Sequence, residues 1–174
     1  MGIGLRESAL KWIEALGCEH RVVEDPQTEW HLEVRYPVGR PDNHRMHVAG
    51  LPGPAASLIV ASRIGFSKEH RNAVEALPAD ERRGFIVGLR DTLNRGHVDF
   101  ELHPPTPGSA CPSGFQVTMR RFADGLNYDE FHRTMGSVYK AELAGIWFIQ
   151  EALQKDTLGP SVVFDFERSN IPEA

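Results

Sequence analysis

Apolar side chains recur along this chain in two rhythms, one of about 3.6 residues and one of two, and the switches between them mark out its elements. Leu5, Ala9, Trp12, Ile13 and Leu16 share one face at helical spacing, and Gly17 stands where a left-handed residue closes a helix. Arg21 to Glu24 then reads as a short strand. Asp25-Pro26-Gln27-Thr28 reads as a turn whose proline presets φ. Trp30, Leu32, Val34 and Tyr36 alternate with His31, Glu33 and Arg35, the pattern of a strand with one dry and one wet face. Turn-rich breaks at Pro37 to Asn43 and Gly50 to Pro54 bound a weaker alternation carrying Met46 and Val48, and Ser57 to Ile64 supplies a further strand. Connections this short cannot hold a crossover helix, so neighbouring strands are expected to pair antiparallel.

The helical rhythm returns after Ser67, a natural cap, with Ala73, Val74 and Leu77, and Pro78 stops it. Asp80 is the expected cap of a second helix bearing Phe85, Ile86, Leu89 and Leu93. Val98, Phe100 and Leu102 next alternate with His97, Asp99, Glu101 and His103. A partner strand offers Phe115, Val117 and Met119 against Gln116, Thr118 and Arg120. Placing both apolar sets on one face sets Phe115 opposite Leu102, Val117 opposite Phe100 and Met119 opposite Val98, with Arg120 beside His97 on the wet face. The prolines and glycines of Pro104 to Gly114 predict an irregular loop between the two. Asn127 and Glu130 have the spacing of a capping-box-like start. Phe131, Met135, Val138, Ile146, Ile149 and Leu153 then continue as a long helix, with Ser137, Ala141 and Gly145 leaving room for close packing.

These elements predict an α+β fold, an antiparallel sheet packed against helices in the order α-ββββ-αα-ββ-α. The expected organisation is one domain over 1–155 with a tail, 156–174, packing on it through Val162, Phe164 and Phe166. The 174 residues suffice for a core without disulfides or metal, and 41% apolar with 25% charged residues is ordinary globular composition. A net charge of -5 disfavours nucleic acid as a partner. No apolar run approaches a membrane span, and only Cys18 and Cys111 are present, so the expected address is the cytoplasm, with no membrane partner.

Candidate chemistry is sparse. His44 and His47, three apart on a strand, point to opposite faces and cannot share an ion. His97, Asp99, Glu101 and His103 share a face, but the outer pair is roughly 20 Å apart at about 3.3 Å per residue. Glu101 and His103 are left as a two-ligand start, and the rival reading is a metal-dependent or small-molecule activity on the polar face around His97, Asp99, Glu101 and His103. Cys111 has no basic sequence neighbour to activate it, and Glu142, set among apolar positions of the last helix, reads as a structural carboxylate that reaches a wet side or pairs with an arginine. Walker, Rossmann, zinc-finger, HExxH and EF-hand patterns are absent from the sequence, so no catalytic, metal-binding or cofactor-binding residue is assigned.

The stretch Arg121-Phe122-Ala123-Asp124-Gly125-Leu126-Asn127-Tyr128-Asp129-Glu130-Phe131, with the apolar helix running to Leu153, resembles a family of small uncharacterised prokaryotic proteins. That family looks like a branch of the type III secretion chaperone-like fold, alongside the YbjN-like proteins. The resemblance implies a non-catalytic domain that binds a protein partner or itself. The expected interaction surface comprises Trp30, Tyr36, His97, Asp99, Glu101, His103 and Arg120.

Overall fold

The computed structural model describes residues 4–39 and 44–153. The opening amphipathic segment forms α1 (Leu5–Ala15), which buries Ala9 and Ile13, and Gly17 closes it with a φ of +72°. There follow β1 (His20–Val22), β2 (Trp30–Tyr36), β3 (His44–Leu51) and β4 (Ser57–Gly65), then α2 (Lys68–Ala76) and α3 (Ala79–Asn94). The chain continues through β5 (Asp99–Pro105), β6 (Pro112–Phe122) and α4 (Tyr128–Leu153). The six described strands join one antiparallel sheet in the order β1-β2-β3-β4-β6-β5, which fulfils the α+β expectation. The sheet's margins are the short β1 and the proline-ended β5.

Alternation decides which face is dry. Leu32, Val34, Met46, Val48, Leu58, Val60, Ile64, Phe115 and Val117 point the same way and are buried under the helices. Helix α4 lies against β4 and β6 on that face, with α1 and α3 beside it. Its Phe131, Met135, Val138, Ile146, Ile149 and Leu153 are all buried, as their spacing requires, each contributing roughly 1.5–3 kcal/mol of transfer free energy. Close contact depends on two glycines. A Cβ on Gly145 would lie 2.6 Å from the Phe115 ring, and one on Gly114 only 2.1 Å from the Ile64 carbonyl oxygen. The β5–β6 register sets Phe100 opposite Val117 and Leu102 opposite Phe115, as the shared dry face demands.

Several boundaries differ from the sequence reading. The first strand is His20–Val22, because Val23 and Glu24 already lead into the turn. Pro78, not Asp80, occupies the cap of α3, and Asp80 and Glu81 sit in its first turn, where their charges suit the helix dipole. The break at Leu77-Pro78 separates α2 from α3 as two helices. The proline-rich loop is shorter than expected: β5 and β6 stay paired out to Pro105 opposite Pro112, so only 106–111 connect them. Cys111, expected on a flexible loop, is fully buried. His97, expected in the strand, precedes it with a φ of +53°, and pairing begins at Asp99. The tail expected over 156–174 lies outside the described residues.

Candidate functional site

The sheet's second face is polar, and two clusters of ionisable side chains stand out in the fold. The first lies on that polar face at the β1–β3 end, where three adjacent strands present Arg21, Glu33, Arg35, Arg45 and His47. Arg21 donates to Glu33 at 2.7 Å, and Arg45 stands 3.9 Å from the other oxygen of the same carboxylate. Arg35 stands 3.7 Å from Glu19. One carboxylate shared by two guanidinium groups leaves an excess of positive charge in a chain that is acidic as a whole. Burial works to raise the Glu33 carboxyl, but the Arg21 hydrogen bond and the charges of Arg21 and Arg45 outweigh it and hold it below the usual range. Together with Glu19 and His20 these residues line an open depression of about 200 Å³.

Next to that depression the β1–β2 turn folds over the sheet. Asp25 Oδ1 accepts the Gln27 backbone N–H at 3.0 Å, a local Asx arrangement, and Oδ2 lies 3.1 Å from His31 Nδ1. His31 Nε2 in turn lies 2.9 Å from His47 Nδ1. The result is a continuous Asp25–His31–His47 chain, and His31 is only 6% exposed. The turn chemistry at Asp25 was readable in the sequence. Its grip on a histidine across the strand was not, because the link depends on where the turn folds back.

The second cluster sits on the dry face, where β2 and β3 meet α4. His44 Nδ1 lies 2.5 Å from Glu142 Oε1, and Glu142 is 1% exposed. Its partner is thus a histidine from the sheet, in place of the arginine or the wet side expected. Glu142 Oε2 is buried without a hydrogen bond. The Tyr139 ring stands edge-on to both His44 and Tyr36, with centroids 5.4 and 5.6 Å apart. His44 and His47 do face opposite ways, as their three-residue spacing dictates.

The residues expected to form an interaction surface divide between the two faces. Trp30 packs on the dry face, its indole covering Gly50, and Tyr36 packs there against Tyr139. Asp99, Glu101 and His103 lie on the polar face of β5, and Arg120 on that of β6. Arg63 Nε donates to His103 Nδ1 at 3.3 Å, and burial and then the Arg63 charge lower the affinity of His103 for its proton. Arg120 donates to Ser57 Oγ and lies over the Phe122 ring at 5.0 Å. Among the described residues no group of three His, Cys, Asp or Glu side chains is placed to hold a metal ion. Neither thiol is activated: burial raises Cys18 and pushes Cys111 up to about 11. No described helix is long and apolar enough to cross a membrane.

Comparison with known proteins gives relatives that are themselves uncharacterised. The fold is similar to the crystal structure of an uncharacterized protein from Methanothermobacter thermautotrophicus, with a TM-score of 0.76 and 30% sequence identity over 85% of this chain and 98% of that one. No curated protein matches the chain. Residues 5–149 match the family described as "Uncharacterized conserved protein (DUF2299)", and the chain belongs to that family.

Proposed function

We propose that this is a non-catalytic protein-binding domain that docks an acidic segment of a protein partner on the polar face of its sheet, over β1, β2 and β3. The observation that carries this reading is the pair Arg21 and Arg45 on the shared Glu33 carboxylate, with Arg35 beside Glu19, at an open depression. A carboxylate-bearing segment laid there meets guanidinium groups already oriented by the strands, with fork geometry suited to carboxylates. Binding to such an open face is electrostatic and weakens as salt rises. The β5–β6 end, with Asp99, Glu101, His103 and Arg120, extends the same surface. The type III secretion chaperone-like likeness belongs to this proposal too, supported by the turn at Asp124-Gly125-Leu126 and the long α4.

The test is fluorescence anisotropy with a labelled octaglutamate peptide and its octaglutamine counterpart. The glutamate peptide should bind and the glutamine peptide should not. Arg21→Glu with Arg45→Glu should weaken binding at least tenfold, whereas Arg83→Glu, on the exposed side of α3, should leave it unchanged. Equal affinity for both peptides, or indifference to the double reversal, overturns the reading.

A further inference from the structure

The Asp25–His31–His47 chain has a fixed proton order. A carboxylate oxygen accepts, so the hydrogen of the first bond is on His31 Nδ1 and is donated to Asp25 Oδ2. A neutral ring that donates through Nδ1 keeps its lone pair on Nε2. That nitrogen faces His47 Nδ1 at 2.9 Å, with the rings edge-on at 5.0 Å, so the hydrogen of this second bond belongs to His47. The lone pair at the end of the chain therefore falls on His47 Nε2. A proton arriving there breaks nothing. With one extra proton on the pair, His47 Nε2 carries an N–H whichever of the two rings holds the bridging hydrogen.

The groups that face His47 come from every neighbouring strand. Glu33 is directly opposite on β2, with Arg21 beyond it on β1, and Arg45 is two residues along β3. On β4 the facing residue is the small Ala61, while Arg63 is turned to His103. Burial first, then the neighbouring His31, then Arg21 and Arg45, hold His47 below the ordinary imidazole range against the pull of Glu33. Near pH 7 the face therefore presents His47 as an acceptor.

We infer, on the docking reading above, that an acidic segment bound over Arg21 and Arg45 draws one proton from solvent onto His47 Nε2, making this a proton-coupled docking site. The incoming proton turns His47 Nε2 from acceptor to donor. It adds one positive charge beside the two guanidinium groups, and leaves the bonds to His31 and Asp25 in place. Carboxylates on the partner gain a charge-assisted hydrogen bond, and affinity rises as pH falls.

The test uses the full chain and the octaglutamate probe, whose side chains are still ionised at pH 5.8. Affinity should rise threefold to tenfold from pH 7.5 to 5.8, and calorimetry in two buffers of different ionisation enthalpy should show proton uptake approaching one per peptide. His47→Gln should abolish the rise whatever its affinity at pH 7.5, while His132→Gln, on the exposed side of α4, should keep it. Ring nitrogen shifts of wild-type His47 give a readout independent of any variant: saturating peptide should move the protonation of its Nε2 to higher pH. Binding that persists with no rise, or a rise that survives His47→Gln, overturns the proton coupling and leaves the docking reading intact. Absence of binding at both pH values overturns the docking reading and the coupling with it.

Discussion

Glu142 is the residue whose environment departs furthest from what its chemistry prefers. Its carboxylate is enclosed by α4 and the sheet, with one oxygen on His44 and the other without a partner. Removing one member of such a pair strands the other, which typically costs about 3–5 kcal/mol, whereas replacing both with apolar groups is often nearly neutral. Glu142→Ala should therefore lower the free energy of unfolding by about 3 kcal/mol or more in urea titrations, and His44→Leu with Glu142→Leu together should lose less than that single change. A double variant at least as unstable as Glu142→Ala would show that the pair stabilises the fold on balance. The sequence marked Glu142 as out of place, since it interrupts an apolar stretch. It could not name His44, which lies 98 residues away and meets it only through the packing of β3 against α4.

At the scale of elements, glycines separate positions where the backbone needs space from positions where it does not. Gly84 lies inside α3 with nothing within 4 Å of the place an added methyl would occupy, so Gly84→Ala should raise stability by about 0.5–1 kcal/mol through helix propensity alone. Gly114 pairs with Gly65 across β4 and β6, and a methyl there meets the Ile64 carbonyl, which cannot move without parting the strands. Gly114→Ala should cost about 3 kcal/mol, toward the upper end of overpacking penalties. Thermal denaturation of the two variants side by side decides the matter, and a tolerant Gly114 would refute the close approach. Element identity was largely legible: the alternation of Phe100 and Leu102 with Phe115 and Val117 fixed both face and register. Element ends were less so. Prolines at 104, 105 and 112 suggested a long loop, yet the pairing resumes at Pro105 opposite Pro112, because an edge strand tolerates a proline whose missing N–H would point away from its neighbour.

For the whole molecule, protonation and folding are linked through His47, His70 and His103. Burial is the leading reason that each holds its proton less readily than the ordinary imidazole value of 6.5. In the folded chain these rings stay neutral at pH values where the unfolded chain has already protonated them. Their contribution is therefore complete above about pH 6.5 and is lost as pH falls from there toward the lower folded values. Glu33 adds a second loss further down, because its carboxyl is held below 4.5 and its stabilisation disappears as pH drops through that depressed value. The urea midpoint should be level between pH 8 and 7, decline below about 6.5 and fall more steeply below 4.5. A stability maximum near pH 5 would contradict this. The candidate docking face was the least legible part of the sequence. Arg21, Glu33 and Arg45 belong to three strands, and only the register of β1, β2 and β3 makes them neighbours.

The sheet's two margins carry a consequence for crowded conditions. At one side β1 offers three residues, and at the other β5 finishes in Pro104 and Pro105, which have no hydrogen to give a passing strand. Among the described strands, a second copy arriving edge-on finds a short rail on one flank and a blunted one on the other, which disfavours growth into fibres.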